Sequence, residues 1–255
     1  MSDVEADWSP IHDAAFNGNV LCLQRLMAQG MCVNLNTLDK VSPLHVACRQ
    51  GHTNCAKLLV ENGANVNHTT VDGHTALTEA SARGHVTCVS LLLKHGATPP
   101  GETSPSSPPI HTAAARGRSS HPECIEALVH CRADVDQDID SLGSPLHAIS
   151  NPTRSEKLHC IKIVNVAGAD ANKSTSGDSP LHIAARLSSP ELVSALLHYG
   201  ADRLLVNSEG KRCLDLVPPD SPVGRLLRET GVSPLKQLCR LSIRKTVGKQ
   251  RLGFL

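Results

Sequence analysis

Apolar and small residues recur along the chain in paired bursts. One burst reads Pro43-Leu44-His45-Val46-Ala47-Cys48, and a second follows as Cys55-Ala56-Lys57-Leu58-Leu59-Val60. Within each, the apolar positions fall three or four residues apart, the spacing of one helical face. Gly51 separates the bursts, and Gly63-Ala64-Asn65 closes the second. The pattern predicts a helix, a tight left-handed turn, a second helix and a loop. Asp72-Gly73 marks a turn in that loop, expected at the tip of a short finger.

The unit recurs. Its opening phrase reads Ser9-Pro10-Ile11-His12, Ser42-Pro43-Leu44-His45, Thr75-Ala76-Leu77-Thr78, Pro108-Pro109-Ile110-His111, Ser144-Pro145-Leu146-His147 and Ser179-Pro180-Leu181-His182. A degraded copy is Arg212-Cys213-Leu214-Asp215. The second residue of the phrase falls at 10, 43, 76, 109, 145, 180 and 213, in steps of 33, 33, 33, 36, 35 and 33. A period near 33 carrying this phrase resembles the ankyrin repeat over residues 7–228. The expected fold is an all-α solenoid. Six repeats are predicted near 8–40, 41–73, 74–106, 107–142, 143–177 and 178–210, with a partial seventh at 211–228 and an extension at 1–7.

Each position in the phrase has a physical role. Ser or Thr is expected to cap the first helix, and Pro suits its first position, where no backbone donor is needed. Small pairs such as Ala14-Ala15 and Ala184-Ala185 let neighbouring helices approach. Gly18, Gly51, Gly84 and Gly117 end the first helices. Arg132 stands where a helix-closing glycine is expected, at a cost of roughly 1–2 kcal/mol if it stays left-handed. The fourth and fifth repeats gain three residues between their helices, and Pro152 is expected to stop one helix early. The third repeat ends in a Pro/Ser-rich finger at 99–107.

Composition narrows the function. Aromatics make up 2% of the chain, which a thin repeated Leu/Val/Ala interface tolerates and a single deep core would not. Net charge is +1, so no global field draws the chain to nucleic acid or membrane. Residues 1–8 lead into no apolar run, so no signal peptide is expected, and no stretch is long enough to span a bilayer. The ten cysteines are then expected reduced and the protein intracellular, in the cytoplasm. The glycosylation-like triplets at Asn67 and Asn172 are expected to stay unused. Five of the fourteen histidines belong to the phrase, and Cys22, Cys55, Cys88, Cys124 and Cys160 share one repeat position, so both sets read as structural. No zinc spacing, phosphate loop, nucleophile elbow or kinase motif is present, and no cofactor or catalytic residue is expected. The acidic pair Asp138 and Asp140 reads as a solvated turn. A protein-binding, non-enzymatic function follows. The binding face is expected on the concave side, made of fingers and first helices, with Asp39, Lys40, Asp72 and His74 as candidates.

The tail adds a second element at 232–255. Ser233 and Pro234 open a helix in which Leu235, Leu238, Cys239, Ser242 and Ile243 share a stripe. The pattern Leu235-x-x-x-Cys239-x-x-x-Ile243 behind such repeats resembles the elongin-binding half of a SOCS box, and the combination resembles the ankyrin repeat and SOCS box family. The resemblance implies a substrate receptor of a cullin-5 RING ubiquitin ligase. Leu235, Leu238, Cys239, Leu241 and Ile243 would engage elongin C, which brings elongin B, and the repeats would hold a protein substrate. A complete SOCS box continues with a Leu-Pro-rich cullin segment that this sequence lacks before Leu255, so elongin binding is expected to be weakened and the resemblance does not carry cullin-5 recruitment. The alternative is an ankyrin scaffold or decoy without ligase output. The stretch 236–255 also holds Lys236, Arg240, Arg244, Lys245, Lys249 and Arg251 and no acid. A basic amphipathic helix of that kind supports a rival reading, binding to acidic lipid, calmodulin or nucleic acid.

Overall fold

The computed structural model describes residues 8–99, 108–115, 121–139, 143–150, 156–174 and 177–229. The five SOCS-box candidates at 235–243 lie outside these residues, as do Gly117, Asp140 and the finger at 100–107. The chain forms two compact units, Met1–Ala113 and Ala114–Leu255.

In the first unit the paired bursts become paired helices. They are α1 (Pro10–Phe16), α2 (Val20–Ala28), α3 (Pro43–Gln50), α4 (Thr53–Glu61), α5 (Ala76–Arg83) and α6 (Val86–Lys94). The first helices α1, α3 and α5 pack side by side in one layer, and α2, α4 and α6 form the layer behind them. Helix α7 (Pro109–Ala115) runs across the division between the units. The second unit repeats the plan. Its helices are α8 (Pro122–His130), α9 (Pro145–Ser150), α10 (Glu156–Val166), α11 (Pro180–Arg186) and α12 (Pro190–His198), then a 3-10 turn at Cys213–Leu216 and α13 (Pro222–Glu229). Helices α8, α10, α12 and α13 make one layer, while α9, α11 and the 3-10 turn make the other. Among the described residues no strand forms, and the fingers carry isolated bridges such as Thr69 with Thr75. Helix α9 ends at Ser150, two residues ahead of Pro152. Arg132 does take the left-handed conformation, at φ +64°.

Buried side chains along these layers are Leu, Ile, Val, Ala and Cys. Leu44, Leu77, Ile110, Leu146 and Leu181 are all essentially inaccessible, each at the same place in its phrase. No Trp, Phe or Tyr belongs to the buried core among the described residues. The repeated cysteine behaves alike: Cys55, Cys88, Cys124 and Cys160 are fully buried and Cys22 half-buried.

The phrase histidine joins one repeat to the next. Ser42 Oγ lies 2.7 Å from His45 Nδ1, and the Ser42 N–H donates to the same nitrogen at 3.3 Å. That nitrogen is therefore the acceptor, and the ring proton sits on Nε2, a tautomer assigned from the network. Nε2 then donates to the carbonyls of His68 and His74, each at 3.1 Å. The same link runs from His12 to the Val41 carbonyl at 3.0 Å, from His147 to Asp178 at 3.2 Å and from His182 to Lys211 at 3.2 Å. Val41, His74, Asp178 and Lys211 each precede the first residue of the following phrase. The serine therefore serves mainly the imidazole. Ser9 makes no side-chain cap bond, and Ser42 caps at a long 3.4 Å. Burial pushes His45 down to about 4, against partial support from the His74 carbonyl, and burial pushes His147 down as well. The bridge requires a neutral ring, since a second ring proton would face the Ser42 N–H.

A second histidine column fixes the turns. His52 Nε2 reaches the Phe16 carbonyl at 2.9 Å, and His85 Nε2 reaches the Arg49 carbonyl at 3.2 Å. Each ring lies over the glycine that ends the preceding first helix. A Cβ on Gly51, at φ +79°, would come within 2.6 Å of the His85 ring. Gly63, at φ +87°, would meet nothing within 4 Å.

Two outcomes follow. The unfolded state binds the His45 proton near 6.5 and the folded state near 4, so stability is complete above pH 6.5 and falls as pH drops toward 4. Between pH 7 and 4.5 the protein should lose about 2–3 kcal/mol more than its His45→Gln variant in urea unfolding. Equal losses would show that His45 does not titrate as its burial requires. Separately, Gly63→Ala should cost only the backbone share, roughly 1–2 kcal/mol. Gly51→Ala should cost more, and His85→Ala in the same chain should remove the excess, as a double-mutant cycle reads directly.

Candidate protein-binding site

The fingers of the first unit are built alike. In the first, Thr37 Oγ1 accepts the Val41 N–H at 3.1 Å and the Thr37 carbonyl accepts the Lys40 N–H at 2.9 Å. In the second, Thr70 Oγ1 accepts the His74 N–H at 3.1 Å and the Thr70 carbonyl accepts the Gly73 N–H at 2.9 Å. Lys40 takes φ +57° where the second finger uses Gly73. Such a conformation costs a non-glycine residue roughly 1–2 kcal/mol, and the threonine brace holds it in place. The fingers are tied by the Val71 N–H donating to the Asp39 carbonyl at 2.9 Å. Each then presents one aliphatic side chain to solvent: Leu38 is 85% exposed and Val71 64%.

The four candidate residues separate on this frame. Asp39, Lys40 and Asp72 are exposed at the finger tips. His74 is half-buried, with Nδ1 3.1 Å from Glu79 Oε1, and Glu79 Oε2 lies 3.7 Å from Arg49 Nε. His74 is thus the end of an Arg49–Glu79–His74 chain, and Asp39 alone of the four lines the groove described next.

That groove has a volume of about 570 Å³ and lies between the first finger and helices α1, α3 and α5. Trp8 and Phe16 form one wall, ring to ring in a T-shaped contact at 5.6 Å. Val41 and Val46 lie at its base, and Leu38 stands on its rim. Arg49 and Arg83 close the far side. The sequence reading did not single out Trp8, Phe16, Leu38 or the arginines. A usable signal was present: Trp8 and Phe16 are two of only four aromatic residues in the chain.

The remaining clusters are structural. Asp138 is not a merely solvated turn residue, because Lys173 Nζ lies 2.7 Å from its carboxylate and also contacts the Asp136 carbonyl. Asn67 and Asn172 hold the loops of successive repeats. Asn67 Oδ1 accepts the Thr98 N–H at 3.0 Å, and Asn172 Oδ1 accepts the Asp202 N–H at 2.6 Å. Hydrogen bonding with Cys48 holds the Cys88 thiol down to about 7 while the Cys48 thiol is pushed up, and neither side chain reaches solvent. Among the described residues no three His, Cys, Asp or Glu side chains are arranged to hold a metal ion, and no helix is long and apolar enough to cross a membrane.

The helix pairs, paired fingers and bridging histidines define an ankyrin-repeat protein. Comparison with protein families matches ankyrin repeats at residues 11–104, 67–139 and 110–207, and a SOCS box at residues 231–255. Ankyrin repeat and SOCS box protein 9 of Mus musculus is 55% identical over 249 residues, covering 97% of this chain and 83% of that protein. Ankyrin repeat and SOCS box protein 5 of Mus musculus is 54% identical over 252 residues, covering 98% of this chain and 74% of that protein. Among solved structures, the human ASB11 ankyrin repeat domain aligns with a TM-score of 0.77 at 40% identity, covering 89% of this chain and all of that one. The ankyrin repeat domain of Bcl-3 aligns with a TM-score of 0.72 at 26% identity, covering 87% of this chain and 98% of that one. The chain belongs to the ankyrin repeat and SOCS box family. Membership supports a substrate-recognition role in a SOCS-box ubiquitin ligase, an adaptor's role and not a catalytic one.

Proposed function

We propose that this chain is the substrate-recognition subunit of an elongin B/C–cullin-5 ubiquitin ligase. The observation that carries the reading is the SOCS-box match at residues 231–255, directly behind the repeat helices, the last of which is α13. The division of labour follows from the physics of each part. The repeats form rigid layers with paired fingers and present a face for a protein target. The sequence of the tail spaces Leu235, Leu238, Cys239 and Ile243 as one helical stripe, with Leu241 in support, and apolar residues so patterned suit a partner surface. Elongin C, with elongin B, is that partner. The target is held on the finger face that carries Asp39, Lys40, Asp72 and His74.

Leu235→Asp puts a charge at the first position of the stripe. Burying an unpaired carboxylate costs several kcal/mol, so capture of elongin B/C should fall more than 100-fold. The melting transition of the repeats should stay where it was. Undiminished capture of elongin B/C by the variant would overturn the assignment of the stripe. Reconstitution with cullin-5 and a RING partner then reads ligase output. Its dependence on Leu235 separates a receptor from a scaffold.

A further inference from the structure

Among the described residues the core holds no aromatic side chain, and yet two of the chain's four aromatic residues meet at one surface groove. Phe16 is 44% exposed at the end of α1, although the helix buries Ile11, Ala14 and Ala15 inward. Trp8 is half-buried and stacks on Phe16 and on His12. Leu38 adds a largely exposed aliphatic side chain from the finger. An aromatic wall with an aliphatic rim is the surface of a binding anchor site, where Trp and Tyr contribute most per residue.

The charges on the groove are uneven. Arg49 is half-neutralised by Glu79 at 3.7 Å. Arg83 is exposed and makes no ion pair among the described residues. Asp39, on the finger side, is the single carboxylate of the lining. A guanidinium without a partner beside apolar surface favours a carboxylate, which it can hold through two parallel hydrogen bonds. Asp39 disfavours a continuous run of phosphates across the same groove.

Size sets the length of the occupant. The lining comes from three successive repeats: Trp8 and Phe16 from the first, Arg49 from the second and Arg83 from the third. Packed helices lie about 8–10 Å apart, so the groove spans roughly 20 Å. An extended chain covers that distance in about six residues.

We propose that this groove binds a short acidic segment of a partner protein through one bulky apolar anchor against Trp8, Phe16 and Leu38 and a carboxylate on Arg83. The inference rests on the reading that the repeats hold the target, and it names the chemistry the target must present.

Trp8 is the single tryptophan of the chain, so its emission reports on the groove directly. The probe is the tryptophan-free peptide Glu-Asp-Leu-Phe-Asp-Glu, titrated into the full chain with its elongin partners. It should shift the Trp8 emission saturably, and 300 mM salt should weaken binding several-fold. Arg83→Glu and Phe16→Ser should each weaken it at least tenfold. Both side chains are exposed, so folding should survive, and an unchanged melting transition would verify that. The charge-reversed peptide Lys-Arg-Leu-Phe-Lys-Arg and the anchorless Glu-Asp-Gly-Ser-Asp-Glu should not bind. Equal binding of the acidic and basic peptides, tighter binding of single-stranded DNA, no saturable shift, or indifference to Arg83→Glu would each overturn the proposal. Elongin capture is scored in parallel. If it persists while the peptide fails, the groove assignment falls and the ligase reading stands. If Leu235→Asp loses elongin while the peptide still binds, both hold.

Discussion

The repeat interfaces depend on a buried, neutral imidazole wherever the phrase carries histidine, a place Thr78 takes in the third repeat. The phrase histidine accepts at Nδ1 from its own helix start and donates from Nε2 to the carbonyl that precedes the next one. One side chain thus satisfies the polar groups at the head of its helix and ties two repeats together. A repeat cannot bury its apolar face alone, so its stability is the stability of its interfaces. The histidine places a hydrogen bond inside that interface and sets its register, which Leu, Val and Ala contacts by themselves would leave loose. The cost is a ring that must stay uncharged, which is why burial moves His45 down to about 4.

The turns depend on a different constraint. Glycine at the end of a helix supplies a left-handed residue, and that reason alone suffices at Gly63, behind the second helix α4. At Gly18 and Gly51 there is a second reason, because an imidazole from the following repeat occupies the space a Cβ would need. His52 and His85 use that closeness to reach carbonyls at the end of the preceding helix, which has no helical partner for them. Two histidine columns therefore bracket helices α1 and α3, one at the start and one at the end of each.

This explains which parts could be read from the sequence. The period, the helix pairs and a structural role for the phrase histidine follow from local chemistry repeated every 33 residues or so, and repetition multiplies a weak signal; the histidine's link to the next repeat lies beyond any single window. The second histidine column repeats as well, in Gly51-His52 and Gly84-His85, and was legible in principle; its meaning lies in a contact with the previous repeat, which no single window contains. The groove is a harder case. Trp8 and Arg83 are 75 positions apart, and nothing in either neighbourhood points to the other. Only Asp39 among the four finger candidates reaches it, since finger geometry identifies tips, whereas a groove is made by what lies between a tip and the helices behind it. His74 adds a contact its position does not announce, its Nδ1 lying 3.1 Å from Glu79 Oε1.

The absence of aromatics from the core then takes on a functional sense. A repeat protein fills its interfaces with many thin contacts, so bulky rings are a hindrance where helices must approach closely. Rings that the interior does not use can stand on the surface without weakening the stack. Trp8 and Phe16 do so at the open side of the first repeat, where no preceding repeat covers them among the described residues. Under the proposed binding, that exposure leaves them open to another protein, with the arginines of the next two repeats supplying the charge. The groove is lined by residues no later than Arg83, and the SOCS-box match begins at residue 231, so the two proposed binding parts draw on separate residues.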